Sequence, residues 1–272
     1  MARILAFSSQ VARGHVGLSA AMFALQRLGH EVWSLPTVLL SNHPGHPMVA
    51  GMRIAPDVLT AMIDALAGNG WLHEVDAVLT GYLPAAEHVM VAAATIGRLR
   101  AIGQKLLVLV DPVIGDDPKG LYVAGEAATA VRDLLLPLAD ILTPNRFELA
   151  WLSGIAVTDA KSATAAAKGL GVPCLLATSI PGDTAQTLIN LLWSREGSDQ
   201  VQVERLVQVP HGTGDLLAAL YLGHLLNASR PADALVLAVR GVQSAIEASA
   251  GADELQLVRA QNLWASGAGS DR

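Results

Sequence analysis

Short, continuously apolar stretches of strand length recur along this chain with helical stretches between them, and this alternation restricts the fold more than any other feature. Arg3–Ser8, Asp76–Thr80, Lys105–Val110 and Val172–Ala177 lack the polar alternation of a half-exposed strand, so they read as strands buried on both faces. The segments between them read as helices: one reaching Leu28 and stopped by Gly29, one from Pro56 to about Ala67, then Ala85–Ala101, Ala124–Leu136 and Ala160–Gly169. Strands alternating with helices imply an α/β fold with a mostly parallel central sheet and helices on both faces. No linker or repeat divides residues 1–272, which are expected to form a single domain.

The remaining stretches fit the same plan. Glu31–Leu35 and Ile141–Leu142 are expected as strands, and Asn145–Leu152 as a helix closed by Gly154. Pro36 to Gly51 reads as a long loop rich in His, Pro, Gly and Asn, a length that in compact domains is commonly functional. Thr187–Trp193 and Val201–Val209 read as a hairpin around Gly197-Ser198. Helices are expected at Pro231–Ser249 and around Glu254–Trp264, before a frayed tail at 265–272.

Composition excludes several classes. Hydrophobic residues make up 52% and charged ones 15%, which suits a large core rather than disorder. The net charge of −6, without a Lys/Arg cluster, argues against nucleic acid as a partner. Mean hydropathy is +0.42, yet no apolar run reaches the ~18 residues of a membrane span. Cys174 is the single cysteine and sits in an apolar run, so neither disulfides nor a cysteine zinc site is expected. With no secretory leader in the N-terminal residues, the expected location is the cytoplasm.

Ligands of such sheets bind at the carboxyl ends of the strands, and the chemistry-bearing residues follow strand-like segments. They are Ser8-Ser9-Gln10, Thr80-Gly81-Tyr82, Asp111 with Asp116, and Thr143-Pro144-Asn145-Arg146-Phe147-Glu148. Val209-Pro210-His211-Gly212-Thr213-Gly214-Asp215 precedes an apolar helix whose first N–H groups form an anion site. Asp215 there is a carboxylate where an anion should bind, which makes sense for a base acting on an alcohol that attacks a phosphoryl group. Each piece also has a plain structural reading. Thr213 or Asp215 can be a helix cap, Asn145 and Glu148 a capping box, and the Asp-Pro pairs ordinary turns. Carboxylates gathered near a phosphate site suit Mg²⁺. No Walker P-loop is present.

In these motifs the chain resembles the pyridoxal kinases of the ribokinase-like superfamily along essentially its whole length. The resemblance rests on Ser9-Gln10-Val11 with Gly14-His15-Val16-Gly17, Ser41-Asn42-His43, Thr80-Gly81-Tyr82, Asp111-Pro112, Thr143-Pro144-Asn145 and Gly212-Thr213-Gly214-Asp215. It implies ATP-dependent phosphorylation of the 5′-hydroxymethyl group of pyridoxal, with Asp215 as general base and Gly212, Thr213 and Gly214 as anion hole. It implies that Ser9, Val16, His43 and Tyr82 bind the pyridine ring. Asp111, Asn145, Glu148, Thr178 and Val209, within the Val207–Val209 stretch, would serve the nucleotide. Asp111, Asp116, Thr143 and Glu148 would organise Mg²⁺ (or Zn²⁺) and K⁺. A homodimer with a mobile flap is implied as well. Departures are Ser8 and Gln10 around Ser9, Pro44 after His43, and a brief loop after Asp116. Hydroxymethylpyrimidine as acceptor, and a non-catalytic vitamer binder on the same scaffold, are the alternatives.

Overall fold

The computed structural model describes residues 1–103, 105–206 and 208–265, so Val207 and most of the expected frayed tail lie outside the described residues. The strands are β1 (Arg3–Val11), β2 (Glu31–Leu40), β3 (Gly51–Arg53), β4 (Ala77–Thr80), β5 (Leu107–Val110), β6 (Gly115–Asp116), β7 (Gly120–Leu121), β8 (Ile141–Leu142), β9 (Cys174–Pro181), β10 (Thr187–Ser194) and β11 (Gly197–Glu204). The helices are α1 (Leu18–Arg27), α2 (Pro56–Gly68), α3 (Ala86–Ala101), α4 (Gly125–Ala130), α5 (Arg146–Ser153), α6 (Ala160–Leu170), α7 (Thr213–Leu226), α8 (Pro231–Ala248) and α9 (Leu257–Ala265).

Nine strands form one sheet in the order β11-β10-β9-β8-β5-β4-β1-β2-β3, and β6 pairs only with β7. The middle of the sheet, from β2 through β1, β4, β5 and β8 to β9, is parallel throughout. Antiparallel partners flank it: β3 on one side, β10 and β11 on the other. The central strands carry continuous apolar stretches, such as Ile4–Phe7 of β1 and Leu107–Val110 of β5, because both sheet faces are covered. Along β1, Leu5 and Phe7 face α2–α6, while Ile4 and Ala6 face α1, α7, α8 and α9. Residues Leu216 to Leu222 of α7 are all buried, since α1, α8 and the sheet enclose that helix on every side. The chain moves from β1 outward to β2 and later returns to place β4 on the other side, which opens a crevice between the carboxyl ends of β1 and β4.

Several boundaries differ from expectation. The loop expected from Pro36 to Gly51 is shorter, because β2 runs through Pro36 to Leu40 and β3 returns beside it. A register shift leaves Thr37 without a β1 partner, and such an irregularity is where a strand tolerates proline. The hairpin turns at Arg195-Glu196 rather than at Gly197-Ser198, so β11 starts at Gly197 and ends at Glu204, short of Val209. Its Ser198, Asp199 and Gln200 look like turn residues but belong to an exposed edge strand, where polar side chains are favoured. The helix expected to Leu136 ends at Ala130 and continues as a π turn and a 3₁₀ turn, where Pro137 has no N–H to extend it. Helix α9 begins at Leu257 rather than Glu254.

Candidate active site

The N-terminus of α7 sets the frame of the site. Gly212 is its N-cap residue, at φ 99, and no side chain caps the helix, so neither Thr213 nor Asp215 plays the capping part that the tetrapeptide allows. The N–H groups of Thr213 and Gly214 therefore carry no cap from a side chain, while that of Asp215 turns to its own carboxylate. Glycine at 212 has a specific cause: a Cβ there would lie 1.9 Å from the His15 carbonyl oxygen. Gly214 has open space where its Cβ would be, so that side of the terminus is accessible. The Gly14–Gly17 loop is thus pressed onto the start of α7, and the Gly17 N–H donates to the Asp215 carboxylate. Removal from bulk water pushes Asp215 up to about 6 despite that N–H and its own. The same crevice is lined by Ser8, Gly17, Gly81, Asp111 and Asp215.

Asp111 directly follows β5, is 7% exposed, and accepts a 3.0 Å hydrogen bond from Thr143 Oγ1, just past β8. Burial, then the charges of Glu148 and Asp215, hold its carboxyl well above the usual carboxylate range, while the Thr143 bond opposes this. Glu148 is pushed up to about 7, chiefly by burial and further by Asp116, against N–H groups of Asn145, Ile114 and Gly115. The capping box of α5 is formed: Glu148 N–H donates to Asn145 Oδ1 and Asn145 N–H to Glu148 Oε2, each at 3.0 Å. The two side chains have further work. Glu148 Oε1 accepts from Ile114 N–H at 2.8 Å, and Asn145 Nδ2 donates to the Gly115 carbonyl at 2.8 Å, so together they hold the segment after β5. Thr178 forms a parallel bridge with Asn145, which brings those two side by side. Val209 is 36% exposed, and Leu206 is exposed as well.

On the opposite side of the crevice, Ser8 rather than Ser9 holds the end of β4. Tyr82 N–H donates to Ser8 Oγ at 3.0 Å, and Thr37 Oγ1 donates to the Tyr82 carbonyl at 2.7 Å. Ser9 Oγ lies against Gly17, where a Cβ would come within 2.2 Å of it. Val16 is buried, and the Tyr82 hydroxyl is shifted upward by burial, with Arg53 opposing. Gln10 is turned away from the crevice, donating to Ser19 Oγ at 2.9 Å. His43 is lowered to about 4, by burial first and then by His211, Lys119 and His46.

Among the described residues no group of three or more His, Cys, Asp and Glu is arranged to hold a metal ion. Mg²⁺ does not require one, because it keeps waters and takes one or two carboxylates together with phosphates. The mutually repelling carboxyls of Asp111, Glu148 and Asp215 fit a nearby hard cation, and their oxygen-only donor set suits Mg²⁺ better than Zn²⁺. Glu148 is committed to backbone N–H groups, and Asp116 accepts from Asp117 N–H at 2.8 Å.

Tyr122 escaped the sequence reading. Its hydroxyl is raised by burial first and then by the charges of Glu148, Asp111, Asp215 and Asp116, although the residue as a whole is 47% exposed. Its only signal was a tyrosine just past a glycine-rich turn at a strand end. His211 was also missed as a contact residue; its ring stacks on His43.

A model of the family described as phosphomethylpyrimidine kinase matches residues 14–258. The pyridoxal kinase PdxY of Rubrobacter xylanophilus is 39% identical over 266 residues, covering 95% of this chain and 92% of that one. That of Corynebacterium diphtheriae is 35% identical over 260 residues, covering 94% and 92%. Among solved structures, pyridoxal kinase from Entamoeba histolytica matches with a TM-score of 0.92 at 25% identity, covering 99% of this chain and 97% of the other. Pyridoxal kinase from Leishmania donovani in complex with ADP and pyridoxine matches at 0.88 with 33% identity, covering 96% and 95%.

Proposed function

The chain belongs to the phosphomethylpyrimidine kinase family, among its pyridoxal kinases, and from that membership and its site we propose that it phosphorylates the 5′-hydroxymethyl group of pyridoxal with ATP. The observation that carries the reading is Asp215, a carboxyl raised to about 6 at the uncapped N-terminus of α7. Asp215 takes the proton of the hydroxyl group. The hydroxyl oxygen bonds to the γ-phosphorus, the bond to the bridging oxygen of ATP breaks, and ADP leaves with that electron pair. The open N–H groups at Gly212, Thr213 and Gly214 receive the charge of the transferred group.

Ser9, Val16, His43 and Tyr82 form the side that receives the pyridine ring. Asn145 and Thr178 serve the nucleotide phosphates, and Val209 the adenine. Mg²⁺ would be held through Asp111, with Thr143, Asp116 and Glu148 around it, and would neutralise phosphate charge. K⁺ as activator and a homodimer complete the reading. A membrane is not part of it, and no described helix is long and apolar enough to cross one.

The test is an ADP-release assay with ATP and Mg²⁺, with and without K⁺, offering pyridoxal or hydroxymethylpyrimidine as acceptor. Asp215→Asn is expected to lower kcat by roughly 10²–10⁴ with pyridoxal affinity nearly kept, as for loss of a general base. An unchanged kcat removes Asp215 from that role. Preference for the pyrimidine moves the substrate and keeps the chemistry. Binding of pyridoxal without turnover makes the chain a vitamer binder.

A further inference from the structure

The catalytic reading leaves a pair of histidine contacts on the 41–50 loop unused. His43 stacks on His211 with 3.8 Å between ring centroids and 23° between planes, and His211 directly precedes Gly212. Further along the same loop, His46 Nε2 lies 2.8 Å from Glu254 Oε1. Glu254 is 4% exposed, and its carboxylate lies against Gly14, where a Cβ would come within 2.4 Å of Oε2. Gly45, between the two histidines, has no room for a side chain: its Cβ would meet His43 Nδ1 at 2.8 Å and His211 Nε2 at 3.1 Å. Gly45 N–H donates to His43 Nδ1 at 3.0 Å, which makes that nitrogen an acceptor and the ring neutral. The charged groups around the stack are mixed in sign: Lys119 and His46 disfavour protonation of the rings, whereas Glu254 and Asp116 favour it at His211.

A loop can hold itself through its own hydrogen bonds, as Asn42 does here with the His43 and Met48 carbonyls. The two histidines instead tie it to the start of α7 and to the connection between α8 and α9, the elements that frame Asp215. We propose that His211 is a positioning residue: by stacking on His43 it docks the 41–50 loop beside the N-terminus of α7, with His46–Glu254 as the second attachment, and so shapes the acceptor side of the crevice. An aromatic pair of this kind is worth roughly a two- to tenfold factor in an equilibrium. The docking stands on these contacts alone, whereas its effect on the acceptor rests on the kinase reading.

The experiment compares backbone hydrogen exchange of residues 41–50 in the substrate-free full chain, for wild type, His211→Ala, His211→Phe and His46→Ala. His211 is exposed, so its replacement is compatible with folding, and a thermal melt checks each variant. His211→Ala and His46→Ala are expected to exchange faster across 41–50 by roughly two- to tenfold, and His211→Phe to retain wild-type protection because its ring still stacks. In the coupled assay His211→Ala is expected to raise KM for pyridoxal by a similar factor while kcat and KM for ATP stay put, with His211→Phe restoring it. Unchanged exchange in His211→Ala overturns the proposal, as does a fall in kcat with KM for pyridoxal unaltered. Failure of His211→Phe to restore protection overturns the stacking argument. If the wild type turns over neither acceptor, the kinase reading fails while the exchange comparison still decides the docking.

Discussion

As the proposed base, Asp215 would act with opposite signs in catalysis and in stability. As a base it works deprotonated, so kcat/KM is expected to fall as pH drops through about 6, which a pH–rate profile reads directly. For stability, a carboxyl raised from 3.8 to about 6 binds its proton more tightly folded than unfolded. The folded state therefore loses stability as pH rises across that window, by on the order of 2–3 kcal/mol from the shift. Asp215→Asn without nucleotide or metal is thus expected to melt higher than wild type at pH 8, and to lose this advantage near pH 4. At Gly212, alanine would combine a left-handed backbone with a 1.9 Å approach to the His15 carbonyl. We expect Gly212→Ala to cost at least ~2 kcal/mol in chemical denaturation and to abolish turnover. Asp215, Asp111 and Asn145 stood out as candidates because residues of their type follow strand-like segments. The reason for Gly212 was not, since the atom that excludes a side chain there belongs to His15, far away in sequence. Tyr122 and His211 were hidden for the same cause.

At the scale of elements, α5 shows how a structural and a functional reading can both hold. Its capping box was legible from Asn145 and Glu148 alone. Their second duty, gripping Ile114 and Gly115, depends on how β5 and β8 lie side by side, which local sequence does not encode. Val113, just before this grip, sits at φ 45, an uncommon conformation for a β-branched residue that needs external support. Asn145→Ala is expected to cost roughly 1–2 kcal/mol in a denaturant melt through the lost cap, and to raise KM for ATP more than KM for pyridoxal. Equal effects on both would argue against the assigned corner. Element ends were misread where position in the sheet overrides local composition. Pro36 reads as a strand terminator yet sits at a register shift, and Ser198-Asp199-Gln200 reads as a turn yet forms an edge strand.

For the whole molecule, the α/β alternation made the two-faced layering readable, whereas the order in which strands line up is a long-range outcome. So is the weight carried by the last described helix. Trp264 is 2% exposed, packs edge-on against Phe23 at 5.7 Å, and donates from Nε1 to the Leu257 carbonyl at 3.1 Å. It joins α9 to the core shared by α1 and α7. Trp264→Ala is expected to cost ~3–5 kcal/mol, measured as a shift in denaturant midpoint with unchanged slope. A cost below ~1 kcal/mol would mean that α9 is not part of the cooperative unit.

The contact between Gly17 and Asp215 has a temporal consequence. During synthesis the ribosome releases the first half of the crevice long before the carboxyl that completes it. A nascent chain halted just short of α7 contains Ser8, Gly17, Gly81 and Asp111 of the crevice but not the proposed base, so substrate cannot yet reward folding through that carboxyl. The same late segment carries the helix that covers α1 and one face of the sheet, so the carboxyl and the core beneath it are completed together.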